Sequence, residues 1–234
     1  MAKATTKSNR GFIFLIVCSI LTAALAAYVI ADGLLHRSSF LKDKVFITTL
    51  SAALDKFPAG ISQEDLAKVK VLYIDGNYYP EWGYVDEGFN LRIGYDAAAQ
   101  SLRNSIDDED FTDDDFDSHF VQAFSEVDIT DFSSLAYFPN LEFIRIYYQP
   151  ALRDIGFFEN MNSLADVYLQ LVNVSDFSPL NGKTALKRLT VAGCEIKDTD
   201  IFAELTNLDT LVAAACDISD IGGIAALENL VPGR

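Results

Sequence analysis

Two histidines, three cysteines and one dense run of aspartates are the residues whose chemistry needs testing first in this 234-residue chain. His36 and His119 have no partner at metal-ligand spacing. No GxSxG, HExxH or GxxxxGK[ST] run is present. Serines and threonines without a histidine partner read as turn and cap residues. With no nucleophile, base or metal set at usable spacing, the sequence predicts neither catalysis nor a cofactor. From Asp107 to Asp117, eight of eleven residues are acidic. Asp113, Asp115 and Asp117 match the first ligand places of a calcium-binding EF-hand loop, but Ser118 stands where glycine is needed and Phe124 where the bidentate glutamate should be. The run therefore reads as a solvated acidic loop. Cys194 and Cys216 stand 22 residues apart, which puts them in the same place in successive units of any 22-residue repeat. Neighbouring strands lie about 4.8 Å apart, inside the Cα range of a disulfide. A bridge is one reading; two small buried hydrophobes in an inward column is the other and the preferred one.

The spacing of the cysteines belongs to a wider pattern. Leu141, Leu164, Leu186, Leu208 and Leu230 follow one another at steps of 23, 22, 22 and 22. The pairs Ile144/Ile146, Val167/Leu169, Leu189/Val191 and Leu211/Ala213 keep the same steps. Apolar residues in an LxxLxL arrangement at this period define units that cannot bury their core alone and must stack. Each unit then closes with an apolar residue, an Asp and another apolar residue, as in Ile129-Thr130-Asp131-Phe132, Val174-Ser175-Asp176-Phe177 and Ile218-Ser219-Asp220-Ile221.

Ahead of the repeats lies a different kind of sequence. Gly11 to Ala31 is uncharged and mostly apolar, and as a helix of about 1.5 Å rise per residue it matches the roughly 30 Å of bilayer hydrocarbon. Lys3, Lys7 and Arg10 precede it, which predicts a cytoplasmic N-terminus and repeats on the far side of the membrane. The expected domains are a tail over 1–10, a transmembrane helix over 11–35, a helical cap over 36–65 and repeats over 66–234. A cleavable signal peptide ending near Ala26 is the competing reading, with a secreted product. The uncleaved anchor is preferred because the apolar run continues through Tyr28, Val29 and Ile30. Beyond residue 31 there are 18 − 3 = 15 basic against 34 acidic residues, a balance of −19. A surface this acidic argues against nucleic acid as a partner.

Phe46, Leu50, Ala53, Leu54 and Phe57 fall on one side of a helix that Pro58 and Gly60 end, and such a helix would cap the first repeat. Leu66, Val69, Leu72, Ile74 and Asn77 then fit LxxLxxLxLxxN without a gap. On these residues and on the repeated Ile-x-Asp-Ile/Leu element, the chain resembles the leucine-rich-repeat family, in particular its 22-residue class of bacterial, internalin-like surface proteins. The resemblance covers about Val45 to Asn77 and Phe120 to Leu230. It implies an α/β solenoid, a horseshoe with a parallel concave sheet, and a binding module rather than an enzyme. The family's turn asparagine survives only at Asn77, its place being taken by Val127, Gln149, Val172, Cys194 and Cys216 later on. About 76–119 breaks the register and reads as an irregular acidic, aromatic insertion, in which Phe89 to Ile93 supplies a strand of one degenerate repeat. Register is expected to resume at Phe124, 22 residues before Ile146.

Strand pleating points the residues between the repeat leucines outward. The expected ligand face is therefore Tyr73, Phe143, Arg145, Tyr147, Tyr148, Asp166, Tyr168 and Arg188, with Asp75 extending it. Aromatic residues and arginine are the types that dominate binding hot spots. The expected partner is a protein or cell-surface ligand. The last unit opens with Ile224, Leu227 and Leu230 and shows no polar cap, so an alternative role is a structural or regulatory subunit docking through that edge.

Overall fold

The structure, a computed structural model, describes residues 40–79, 84–105, 120–218 and 220–230. The expected tail and membrane segment, both histidines and the acidic run with Asp113, Asp115 and Asp117 lie outside the described residues. Among those described, no helix is long and apolar enough to cross a membrane.

The chain enters through helix α1 (Lys44–Leu54). Asp43 caps its first turn, its Oδ1 accepting from the Phe46 amide at 2.8 Å. Asp55 ends it in a left-handed conformation at φ 51°. Phe46, Ile47, Leu50 and Ala53 are the buried apolar residues of this helix, one stripe at helical spacing. A second helix, α2 (Gln63–Ala67), starts in a reciprocal capping box between Ser62 and Asp65, which satisfies two amides that the helix itself leaves open.

Strand β1 (Val71–Tyr79) then forms a hairpin with β2 (Tyr84–Gly94). Helix α3 (Asp96–Ser105) and strand β3 (Phe120–Ser125) follow. The repeat strands are β4 (Phe143–Gln149), β5 (Asp166–Val172), β6 (Arg188–Ala192) and β8 (Thr210–Ala214). Short β7 (Glu195–Ile196) and β9 (Asp217–Ile218) pair with each other in a second small sheet. The main sheet runs in the order β3-β2-β1-β4-β5-β6-β8, parallel from β1 onward and antiparallel at the β1/β2 and β2/β3 pairs.

Register in the parallel part is strict. Leu72, Ile144, Val167, Leu189 and Leu211 form one inward column, and Ile74, Ile146, Leu169, Val191 and Ala213 the next. On the far side of each rung lies a 3₁₀ segment: Ser133–Tyr137, Gly156–Asn160, Ser178–Leu180 or Asp200–Glu204. Every one begins with an aspartate turn, as does the short helix Gly222–Ala225 of the last unit. The Oδ1 atoms of Asp131, Asp154, Asp176, Asp198 and Asp220 accept from the amide two residues on, at 2.7 to 2.9 Å. The repeated Asp of the sequence therefore supplies the side-chain turn that starts each return segment.

Two expectations about the insertion are corrected. Val71 pairs with Phe143, a step of 143 − 71 = 72 residues against the 22 of Asp166 to Arg188, so 72 − 22 = 50 extra residues sit inside the first rung. The chain leaves the rung after β1 and rejoins it near Ile129, which is 1% exposed. Phe89–Ile93 is not a degenerate repeat but part of the antiparallel strand β2, with Phe89, Leu91 and Ile93 in the common core. Phe124 does not stack before Ile146. It lies on the edge strand β3, with β2 and β1 between it and β4, and is 73% exposed. Helix α1 packs against β2 and β3, so the inserted strands share its cover over this end of the core.

At the C-terminal end of each later parallel strand the backbone takes a left-handed residue, within β4 and β5 at Tyr148 (φ 47°) and Leu171 (55°) and just after β6 and β8 at Gly193 (65°) and Ala215 (50°). Gly76 holds the equivalent place in the first rung, yet it stays in the β1 ladder opposite Phe89. A Cβ there would come within 2.1 Å of the Tyr148 carbonyl oxygen. Only glycine lets the first rung run straight on while the second turns against it. The next residue in each later rung is Gln149, Val172, Cys194 or Cys216, where the family resemblance expects asparagine. Cys194 and Cys216 are free thiols, and each sulfur lies 3.4 to 4.0 Å from two backbone carbonyls. Asparagines instead bond between rungs at another corner, Asn140 to the Ala67 carbonyl, Asn207 to Thr184 and Asn229 to Thr206, at 2.7 to 2.8 Å.

Candidate functional site

The outer face of the sheet, opposite the core, carries the columns Tyr73, Arg145, Tyr168, Thr190, Val212 and Asp75, Tyr147, Gln170, Ala192, Ala214. The adjoining column, Val71, Phe143, Asp166, Arg188 and Thr210, changes character along its length. Helix α3 lies over its first two members, and Ala98, Ala99 and Leu102 bury Val71 and Phe143 in a satellite core. Phe143 is 2% exposed, so it adds little area to the open face. Where the helix ends the column turns polar.

Asp75 is the hinge of the charged cluster. Its Oδ2 accepts from Arg92 Nη2 at 2.7 Å, while its Oδ1 lies 2.8 Å from Arg145 Nε in an ion contact whose angle is not that of an aligned hydrogen bond. Arg145 is held as well by two rings, its guanidinium carbon 5.0 Å from the Tyr168 centroid and 5.6 Å from that of Tyr147. This is cation–π range. Arg92 stands over Tyr73 at 5.2 Å, and Tyr73 stacks on Phe120 at 5.5 Å. Burial pushes the Tyr73 hydroxyl well above the usual phenol range. One rung further, Asp166 accepts from both Nε and Nη2 of Arg188 through its Oδ2 alone. Burial raises the Asp166 carboxyl above its ordinary value, with Arg188 pulling the other way. Tyr168 donates to Gln170 on its own strand.

Tyr73, Phe143, Ile144, Arg145, Asp166, Tyr168, Arg188 and Thr190 line a cleft of about 170 Å³ on this face, the scale of one inserted side chain. The structure thus brings Tyr73, Arg145, Asp166, Tyr168 and Arg188 together and sets Tyr147 at their border. Tyr148 stands apart from them on the left-handed turn. Arg92 was not among the expected residues, although its place between the core residues Leu91 and Ile93 gives the period-2 alternation that points it outward. A larger cleft of about 380 Å³ opens on the other side of the solenoid between the Asp131 and Asp154 turns. Both carboxylates there are engaged in capping their own turns, which leaves a mainly structural seam. Among the described residues no group of three or more His, Cys, Asp or Glu side chains is placed to hold a metal.

A sheet of parallel strands in 22-residue register, closed on the far side by 3₁₀ segments, is a leucine-rich-repeat solenoid. No family model matches the chain, and no curated protein matches it. Solved structures similar to it include an internalin (inlF) from Listeria monocytogenes, 28% identical over 44% of this chain and 30% of that one, with a TM-score of 0.41. An internalin C2 (inlC2) from the same organism is 28% identical over 44% of this chain and 45% of that one, with a TM-score of 0.42. The chain therefore spans less than half the length of either.

Proposed function

We propose that this chain is a non-catalytic, membrane-anchored leucine-rich-repeat module of the internalin-like class. Its repeats lie outside the cytoplasm and bind a protein or cell-surface ligand on the open face of the sheet. The observation that carries the reading is Arg145 fixed between Tyr147 and Tyr168 beside a side-chain-sized cleft. Fixed arginine and tyrosine side chains lose little entropy on binding and are typical interface anchors. The apolar sequence from Gly11 to Ala31 supports the anchor, and the acidic balance beyond it supports the absence of nucleic-acid binding.

The test is a photo-crosslinker placed in turn at Thr190 on the open face and at Glu159 on the opposite side, in the full chain on intact cells. Crosslinking to one partner from Thr190 and not from Glu159 is expected, with loss of that product in an Arg145→Ala, Tyr168→Ala double variant. The same product from Glu159, or its survival in the double variant, overturns the reading. N-terminal sequencing of the mature protein from membranes decides between anchor and cleaved signal.

A second reading, a structural or regulatory subunit docking through the last rung, is supported by the β8 edge. Leu211 and Ala213 there are only partly buried, whereas Leu189 and Val191 in the same columns are 0% exposed. Substitutions at Ile221 and Leu227, rather than at Arg145 and Tyr168, would then abolish the interaction.

A further inference from the structure

Cys194 and Cys216 occupy the same place in successive rungs, and the backbone holds them side by side. Ala192 pairs with Ala214 just before them, and Glu195 with Asp217 just after. Between these pairs, Gly193 donates its amide to the Ala214 carbonyl at 2.9 Å. Each cysteine follows a left-handed residue, Gly193 at φ 65° and Ala215 at φ 50°. The sulfurs repeat as well. Cys194 Sγ faces the carbonyls of Leu169 and Ala192, and Cys216 Sγ faces those of Val191 and Ala214, the same two offsets one rung on. The two residues are therefore one inter-rung step apart, about 4.8 Å, inside the Cα range of a disulfide. Among the described residues, this is the one corner of the solenoid around which strand pairing continues, through β7 and β9.

The two thiols differ in access. Cys194 is 5% exposed, and burial, with Cys216 beside it, pushes its thiol up to about 11. Cys216 is only half-buried, so it is the thiol that a reagent meets first. Both sulfurs are free in this structure. A step of about 4.8 Å is slightly wider than the Cβ separation of a relaxed bridge, about 3.5–4.5 Å. A bond drawn across it carries strain, which makes it easier to reduce.

We propose that Cys194 and Cys216 form a reversible redox site, at which a disulfide oxidant closes a bridge between the β6 and β8 rungs. The Cys216 thiolate attacks one sulfur of the oxidant, forms a mixed disulfide and expels the other sulfur as a thiolate. Cys194 gives its proton to that thiolate and attacks Cys216 Sγ, which expels the second half of the oxidant. Two protein thiols thus lose two electrons and two protons, and one disulfide becomes two thiols. The bridge clamps β8, whose Leu211 and Ala213 are only partly buried, onto the fully buried Leu189 and Val191 of β6. Neither thiol lines the open-face cleft, so this site is independent of the binding reading above.

The full chain, incubated with oxidised glutathione, alkylated and then digested with trypsin without reduction, tests this. Lys197 is the only lysine or arginine between the two cysteines, so trypsin places them on peptides 189–197 and 198–234. These peptides are expected to be joined, lighter by two hydrogens than their sum, and to separate after the oxidised chain is treated with reduced glutathione. The same product should form in Cys18→Ser, which excludes a relay through the third cysteine. Hydrogen exchange of the β8 amides should slow in the oxidised chain and recover on reduction, and Cys216→Ser should show neither the joined peptides nor the slowing. A glutathione adduct that stays on Cys216 while Cys194 remains open to alkylation after unfolding would overturn the inference. So would a dimer joined through Cys216, a bridge that reduced glutathione does not open, or one that leaves β8 exchange unchanged.

Discussion

Asp43 and Thr130 are 87 positions apart and meet through one carboxylate oxygen, Asp43 Oδ2, which accepts from the Thr130 amide at 2.9 Å and its hydroxyl at 3.0 Å. The Asp131 amide adds a third bond at 3.1 Å. The other oxygen caps α1, so this 6% exposed residue ties the capping helix to the point where the interrupted first rung resumes. Asp43→Ala removes the buried cap of α1 and three part-buried bonds at once and is expected to cost about 2–4 kcal/mol. Urea unfolding of the variant checks it. A change under about 0.5 kcal/mol would mean that water replaces the carboxylate without loss.

The left-handed column makes opposite forecasts at neighbouring rungs. Ala215 holds φ 50° with a Cβ and is exposed, so Ala215→Gly should stabilise by roughly 0.5–1 kcal/mol, steric relief slightly outweighing the looser unfolded chain. Gly193→Ala adds a Cβ at φ 65°, 3.0 Å from Leu171 Cδ2, and should destabilise by about 1–2 kcal/mol. Thermal melts of the two variants should move in opposite directions.

Thr199 sits in an inward column with Phe132, Ile155 and Phe177, 4% exposed, and its hydroxyl has no hydrogen-bond partner among the described residues. Thr199→Val keeps the shape and removes the orphaned group, with an expected gain of about 1 kcal/mol. Lys183 interrupts the next column, among Phe138, Met161 and Leu205, but its Nζ donates to the Glu159 carbonyl at 2.6 Å and to Asn162 at 3.3 Å. Being satisfied, it should gain less on change to Met than Thr199 does on change to Val. A larger gain at 183 would show that those bonds do not repay the buried charge.

Acid should unfold the molecule through its turn and cap carboxylates. The Lys56 side chain, then Ser62, holds Asp65 down to about 2, and Ser133 and Ser178 lower Asp131 and Asp176 in the same direction. Their folded values lie below the unfolded ones, so their contribution is full above about pH 4 and is lost as pH falls through the folded values. Asp166 runs the other way, its raised value favouring the folded state in acid and fading as pH rises. Urea midpoints at neutral pH, near pH 4 and near pH 2 should fall steeply over the last interval. Asp65→Asn should flatten that fall and lower the midpoint at neutral pH.

The solenoid was legible because each rung repeats the same apolar columns, and a one-residue slip would expose them all. Strand direction was not legible: Phe89, Leu91 and Ile93 alternate identically in a parallel or an antiparallel ladder, since a period of two carries no polarity. Phe143 read as an exposed aromatic because its cover, α3, presents mainly alanines, and such a helix carries little apolar signal. The left-handed turns were hidden too, because Tyr148, Leu171 and Ala215 are side chains that rarely take that conformation. Tyr73, Arg145, Tyr168 and Arg188 of the open face were legible through the pleat, whereas Arg92 was missed because it lies on the inserted antiparallel strand. The Asp75 bridge that fixes Arg145 was not legible, since it depends on which rungs become neighbours.

The interrupted first rung also sets an order of assembly. Rungs from β4 onward join residues about 22 apart in sequence, whereas β1 meets β4 across 72 residues and Asp43 meets Thr130 across 87. Longer loops close more slowly, so the later rungs are placed to nucleate and the first to close last. The Arg92–Asp75–Arg145 bridge spans that slow junction, which makes the open-face cleft a reporter of completed folding.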